Sequence, residues 1–171
     1  MRSGLKHLWW LRVFTVALAG VLVLPVCATT LTGRVVKVSD GDTITVLDRT
    51  NTQHKVRLAG IDAPEKKQPF GNVSRLSLAQ LVAGKQVRVE SDETDRYGRA
   101  VGVVFAAGLD VNRQQIERGL AWWYRAYARE QTPANQMAYS RAEDKAREAH
   151  LGLWIDPGPM APWDWRRARR P

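Results

Sequence analysis

Two short stretches gather residues whose types can do chemistry together. SDGDTITV, Ser39–Val46, carries Asp42, and VRLAGIDAPE, Val56–Glu65, carries Arg57, Asp62 and Glu65. Carboxylates brought together repel and raise one another's pKa, so a pair such as Asp42 and Asp62 invites a cation. Oxygen donors select a hard one, calcium or magnesium. The planar fork of arginine fits phosphate and keeps its charge at ordinary pH. Arg57 supplies one fork and Arg99, closing TDRYGR, supplies another. Each feature also has a plain reading: SDGD is turn chemistry in its own right, and solvated arginines and a loop glutamate after Pro64 are ordinary surface residues. Spacing alone leaves the turn and the metal site open side by side.

Particular elements must bring these groups together. Gly33–Val38, Thr43–Leu47 and His54–Ala59 are short and β-branched, and SDGD and DRTNTQ between them are turn-formers, which predicts three successive antiparallel strands. A turn near Thr50 or Asn51 lays the start of the second strand beside the end of the third, so Asp42 and Asp62 meet at one end of the sheet. The two-residue strand period sends Val56 and Leu58 to the core and Arg57 to the opposite face.

QPFGNVSRLSLAQLVAGK then spaces Val73, Leu76, Leu78, Leu81 and Val82 as a helix, with Gly84 as its stop. QVRVES and AVGVVFAAG read as a further hairpin, VNRQQIERGL as a short amphipathic helix ending at Gly119, and AWWYRAY as a strand or extended segment. A last helix starts after Thr132-Pro133 and runs to about His150. The predicted class is α+β: a small, partly closed five-stranded barrel, whose closure removes exposed strand edges, with about three α-helices.

The ends of the chain read differently from its middle. Arg2, Lys6 and Arg12 precede the apolar run Val13–Val26, and Ala28 offers a small residue for cleavage, the pattern of an export signal. The run is shorter than the roughly 20 residues of a membrane-spanning helix. An uncleaved anchor and a lipid on Cys27 are the competing readings. The expected division is a cleaved signal over residues 1–28, a barrel domain over 29–155 and a Pro/Arg-rich tail over 156–171. Cys27 is the only cysteine, so the exported chain has neither a disulfide nor a thiol nucleophile. The signal carries three of the 26 basic residues and none of the 17 acidic ones, and the net charge falls from +9 to +6 without it. That charge suits nucleic acid or an anionic membrane surface.

The remaining features have modest expectations. Trp122, Trp123 and Trp154 read as core anchors. Trp163 and Trp165 alternate with charge, to cover the barrel or touch an anionic surface. His54 and His150 lack a partner at metal spacing. Arg166, Arg167, Arg169 and Arg170 read as a soluble, mobile tail, with nonspecific phosphate contacts as the alternative.

SDGDTITV, VRLAGIDAPE and TDRYGRAVGVVF, in this order and at these spacings, resemble the staphylococcal nuclease-like, or thermonuclease, family. The likeness runs from about Leu31 to Trp154, and PWDWRR is similar to a tail of many exported members. The resemblance implies an oligonucleotide-binding-type barrel and calcium-dependent hydrolysis of DNA or RNA phosphodiesters, leaving 3′-phosphate products. By motif, Asp42 and Asp62 match the calcium carboxylates, and Ala63 stands where a backbone carbonyl joins the metal and where relatives often carry threonine. Glu65 matches the general base, Arg57 and Arg99 the phosphate-gripping arginines, and Tyr97 and Tyr124 the aromatics beside the nucleotide. A monomer is expected. The competing function is a non-catalytic barrel that binds single-stranded nucleic acid through a basic groove and aromatics.

Overall fold

The structure, a computed structural model, describes residues 29–169, so the signal expected over residues 1–28 and its cleavage near Ala28 lie outside the described residues. Its first three strands are β1 (Thr29–Val38), β2 (Thr43–Leu47) and β3 (Gln53–Leu58). A short β4 (Ile61–Asp62) leads to α1 (Gly71–Val82), followed by the hairpin of β5 (Gln86–Thr94) and β6 (Ala100–Ala106). After β7 (Leu109–Asp110) come α2 (Val111–Glu117), β8 (Trp122–Trp123), a 3-10 segment over Arg125–Glu130, α3 (Pro133–Glu148), a second 3-10 turn over Gly152–Ile155, and α4 (Pro162–Arg167).

The sheet order β3-β2-β1-β5-β6-β7, with β3 also pairing parallel to β6, closes five strands into the expected barrel. Alternation fills its interior: Val56 and Leu58 of β3 are buried, as are Val35, Ile44, Val46, Val87, Val89 and Val104. Leu78 and Val82 of α1, Val111 and Ile116 of α2, and Tyr139 of α3 join this cluster. A second cluster forms around Trp122, Leu153, Trp154 and Ala161, and Trp163 packs against it.

Four details depart from the sequence reading. β1 begins at Thr29 rather than Gly33, because Thr29–Arg34 pairs with Ser91–Gln86 of β5, a distant partner that local alternation does not reveal. Val73 and Leu76 face outward on α1, while Ser74 and Ser77 lie inside with Leu78 and Val82. The Ser74 hydroxyl donates to the Leu120 carbonyl at 2.7 Å, so this face satisfies backbone as well as burying carbon. AWWYRAY divides, its Trp122–Trp123 pairing with β4 and its remainder turning into the 3-10 segment. The tail read as mobile forms α4, with Pro162 at its first position.

Candidate active site

The end of the barrel where β2 starts and β3 finishes gathers the acidic residues. Thr43 pairs with Arg57, and the Leu58 amide donates to the Asp42 carbonyl at 2.8 Å, so the hairpin register itself sets Asp42 beside Arg57. Gly60, at φ +70°, turns the chain sharply after β3, and the Tyr124 amide donates to its carbonyl at 2.9 Å. The chain then enters β4, whose Asp62 pairs with Trp122. Glu143 of α3, wholly buried, holds this ladder by accepting from the Trp123 amide at 3.1 Å and from Arg125 at 2.7 Å. Thus the position of Asp62 depends on an element more than fifty residues downstream.

The expected meeting of Asp42 and Asp62 occurs, and Arg57 bridges them. Its Nη1 lies 2.9 Å from Asp42 Oδ2 and its Nη2 2.9 Å from Asp62 Oδ1. Asp42 Oδ2 also accepts from the Ala63 amide at 2.8 Å, and Oδ1 accepts from the Thr43 hydroxyl at 3.0 Å. Burial pushes the Asp62 carboxyl above its ordinary range, against the pull of Arg166 and Arg57. Asp40, one turn residue away, is pushed up to about 6 by burial and then by the Asp42 charge.

Arg166, read from sequence as part of a soluble tail, enters this cluster. Its Nη2 lies 2.8 Å from Asp62 Oδ2, and its Nη1 donates to Glu65 Oε1 at 2.8 Å and Asp62 Oδ1 at 3.2 Å. Burial opposes the Arg166 charge, but the bonds to Asp62 and Glu65 outweigh it and raise the pKa of the guanidinium. Asp40, Glu65, Lys66, Lys67, Trp165, Arg166 and Arg169 line an adjoining open pocket of about 550 Å³.

Arg99 stands apart from these contacts. Its guanidinium pairs with Asp95 at 2.7 Å, and Asp95 also accepts from the Arg99 and Tyr97 amides. Arg99 immediately precedes β6, whose Val101 pairs with Arg57 in the β3–β6 ladder, so its backbone lies at the same end of that ladder as Arg57. Tyr97 is 68% exposed on the turn between β5 and β6. Tyr124 stacks on Trp163, with ring centroids 5.3 Å apart and planes 5° apart, so one of its faces is already covered.

Besides Glu143, sequence reading missed three amide side chains that support the site. Gln115 donates through Nε2 to the Gly41 carbonyl at 2.8 Å and to the Ser74 carbonyl at 3.1 Å, joining α2, α1 and the acidic turn. Asn112 donates to the carbonyls of Ala59 and Gly102 and accepts from Val104, pinning the exit of β3 to β6. Gln68 accepts from the Glu65 amide and donates to the Met160 carbonyl. Buried amides carry no periodic signature, so only their partners reveal them.

The donor chemistry fits a hard divalent cation: the carboxylates of Asp42 and Asp62 face each other across the Arg57 guanidinium and offer oxygen donors alone. Among the described residues, no three His, Cys, Asp or Glu side chains form a ready ligand group. A cation here would therefore rest on Asp42 and Asp62, with the Ala63 carbonyl and water completing its shell.

A profile of the family described as "Staphylococcal nuclease homologue" matches residues 55–156. The chain belongs to the staphylococcal nuclease family. It is 44% identical over 165 residues to a "Micrococcal nuclease" of Shigella flexneri, covering 91% of this chain and 92% of that one. It is 42% identical over 139 residues to an "Uncharacterized endonuclease" of Haemophilus influenzae, covering 81% and 75%. A protein of the same description from Escherichia coli O157:H7 is 42% identical over 146 residues, covering 85% and 91%. As a staphylococcal nuclease homologue the chain is a phosphodiesterase acting on nucleic acid, which sets aside the non-catalytic barrel.

Proposed function

We propose that the chain is an exported, calcium-dependent nuclease that hydrolyses DNA, RNA or both to 3′-phosphate products. The observation carrying this reading is the Arg57 bridge between Asp42 and Asp62, with Glu65 linked to Asp62 through Arg166. A phosphodiester resists attack because its charge repels nucleophiles and because charge grows on its oxygens in the transition state. Arg57 stabilises that developing charge, and Arg99 leaves Asp95 to become the second donor when the ester arrives. Glu65 orients water for in-line attack and accepts its proton. Asp42, Asp62 and the Ala63 carbonyl would hold calcium, which would supply Lewis-acid stabilisation at the phosphoryl oxygens. Tyr97, largely exposed with Arg96 and Arg99 over its ring, flanks a nucleotide, and Tyr124 stands beside the site packed between Trp163 and Tyr127. The export part of the reading rests on the basic, apolar and small-residue segments of residues 1–28.

The test is incubation of plasmid and of single-stranded oligonucleotide with chelated protein, then with added calcium, and assay of product ends for 3′-phosphate. Calcium is expected to restore cleavage that the chelator abolished. Cleavage persisting in excess EGTA would remove the metal from the account.

A further inference from the structure

The C-terminal segment reaches Glu65 at two points. The Arg166 guanidinium donates to Glu65 Oε1 while a second nitrogen grips Asp62, and Gln68 relays the Glu65 amide to the Met160 carbonyl just ahead of α4. Among the described residues Arg166 is the ion-pair partner of the Glu65 carboxylate, and it ties that half-exposed side chain to the wholly buried Asp62. The segment behind these contacts is packed firmly. Ala161 and Pro162 are buried, and Trp163 stacks on Tyr124 and meets Trp122 edge-on, with centroids 6.4 Å apart.

We propose that Arg166 is a positioning residue for the nuclease reaction: it holds the Glu65 carboxylate toward Asp62, so that α4 completes the active site. This rests on the nuclease reading above. A glutamate on a loop after Pro64 has several rotamers open to it, and a base contributes only when it lies within hydrogen-bond reach of its proton. Arginine suits the task because its fork spans two carboxylates with one rigid plane, whereas lysine presents a single point charge.

The experiment compares full-length mature wild type, Arg166→Ala, Arg166→Lys and Gln68→Ala, with thermal melts to verify folding. Three readouts are taken: kcat and KM on a fluorogenic oligonucleotide, calcium affinity by calorimetry with calcium chloride alone, and ¹³C relaxation at the Glu65 side chain in metal-free protein. Arg166→Ala is expected to lower kcat by roughly tenfold or more, the lower end of a general-base contribution being about 10². KM and calcium affinity are expected to stay within about threefold, and Glu65 to become mobile. Arg166→Lys is expected to recover part of kcat, and Gln68→Ala to fall between. An unimpaired kcat in Arg166→Ala, or a Glu65 side chain as ordered as in wild type, would overturn the role. So would tighter calcium binding with faster cleavage at limiting calcium, because Arg166 would then obstruct the site. A wild-type chain inactive with calcium overturns the nuclease reading and this role with it; an active wild type with an unaffected Arg166→Ala overturns the role alone.

Discussion

At the scale of single residues, Arg57 has two tasks that a substitution can separate. It neutralises Asp42 and Asp62 in the resting site, and it faces the phosphate in the proposed reaction. Arg57→Ala is therefore expected to reduce turnover by roughly 10²-fold or more, the scale for losing one transition-state donor, with Arg99→Ala comparable. Arg57→Lys should recover little, since one ammonium cannot span two carboxylates as the fork does. Single-turnover rates near wild type in either alanine variant would reject the assignment. The meeting of Asp42, Arg57 and Asp62 was legible because their motifs stand close in sequence and the hairpin register sets Asp42 beside Arg57, just ahead of Asp62. Arg166 was not, since an arginine in a proline-rich tail has no periodicity to say where it points. Its partners lie about a hundred residues upstream.

At the scale of elements, the site depends on close approach between the acidic turn and α1. A Cβ on Gly41 would overlap the Ser74 hydroxyl and lie 2.7 Å from Ala63 Cβ, so Gly41→Ala forces α1 and the β4 loop apart. The expected cost is about 1–3 kcal/mol of stability, together with weaker calcium binding as Asp42 shifts. Urea unfolding and calorimetry check both, and a neutral variant would contradict the packing. The β2–β3 turn allows a pH test. Asp48 accepts from His54 and from the Thr50 hydroxyl and the Thr50 and Thr52 amides, which together hold its carboxyl well below the ordinary 3.8. The folded chain thus binds this proton less readily than the unfolded one. Its stabilisation is full above about pH 4 and is lost as pH falls through the depressed value. Asp48→Asn should lower the urea midpoint at pH 7, with a smaller difference near pH 2, and equal differences at both would contradict the linkage. Strand alternation made the barrel legible, down to Val56 and Leu58 inward and Arg57 outward. The outward Val73 and Leu76 of α1 were misread because helical spacing reports an apolar stripe without saying that Ser74 must meet Gly41, Leu120 and Gln115.

At the scale of the whole molecule, a closed barrel with α1, α2 and α3 packed on it carries the acidic cluster at one end, and the last residues return to that end. A net charge of +9 over the full sequence, +6 without residues 1–28, favours a polyanion, and the pocket beside Glu65 also contains Lys66, Lys67 and Arg169. The charge was legible from composition, but its concentration beside Glu65 needed the folding of α4, which buried tryptophan contacts secure. Among the described residues no helix is long and apolar enough to cross a membrane. The most direct test of the central claim, that this cluster is one catalytic site, is the cleavage rate of Glu65→Gln in calcium beside its affinity for the same oligonucleotide by filter binding. Turnover is predicted to fall by about 10² or more while affinity stays near wild type. A variant that cleaves at the wild-type rate, or that loses binding as steeply as cleavage, would contradict it.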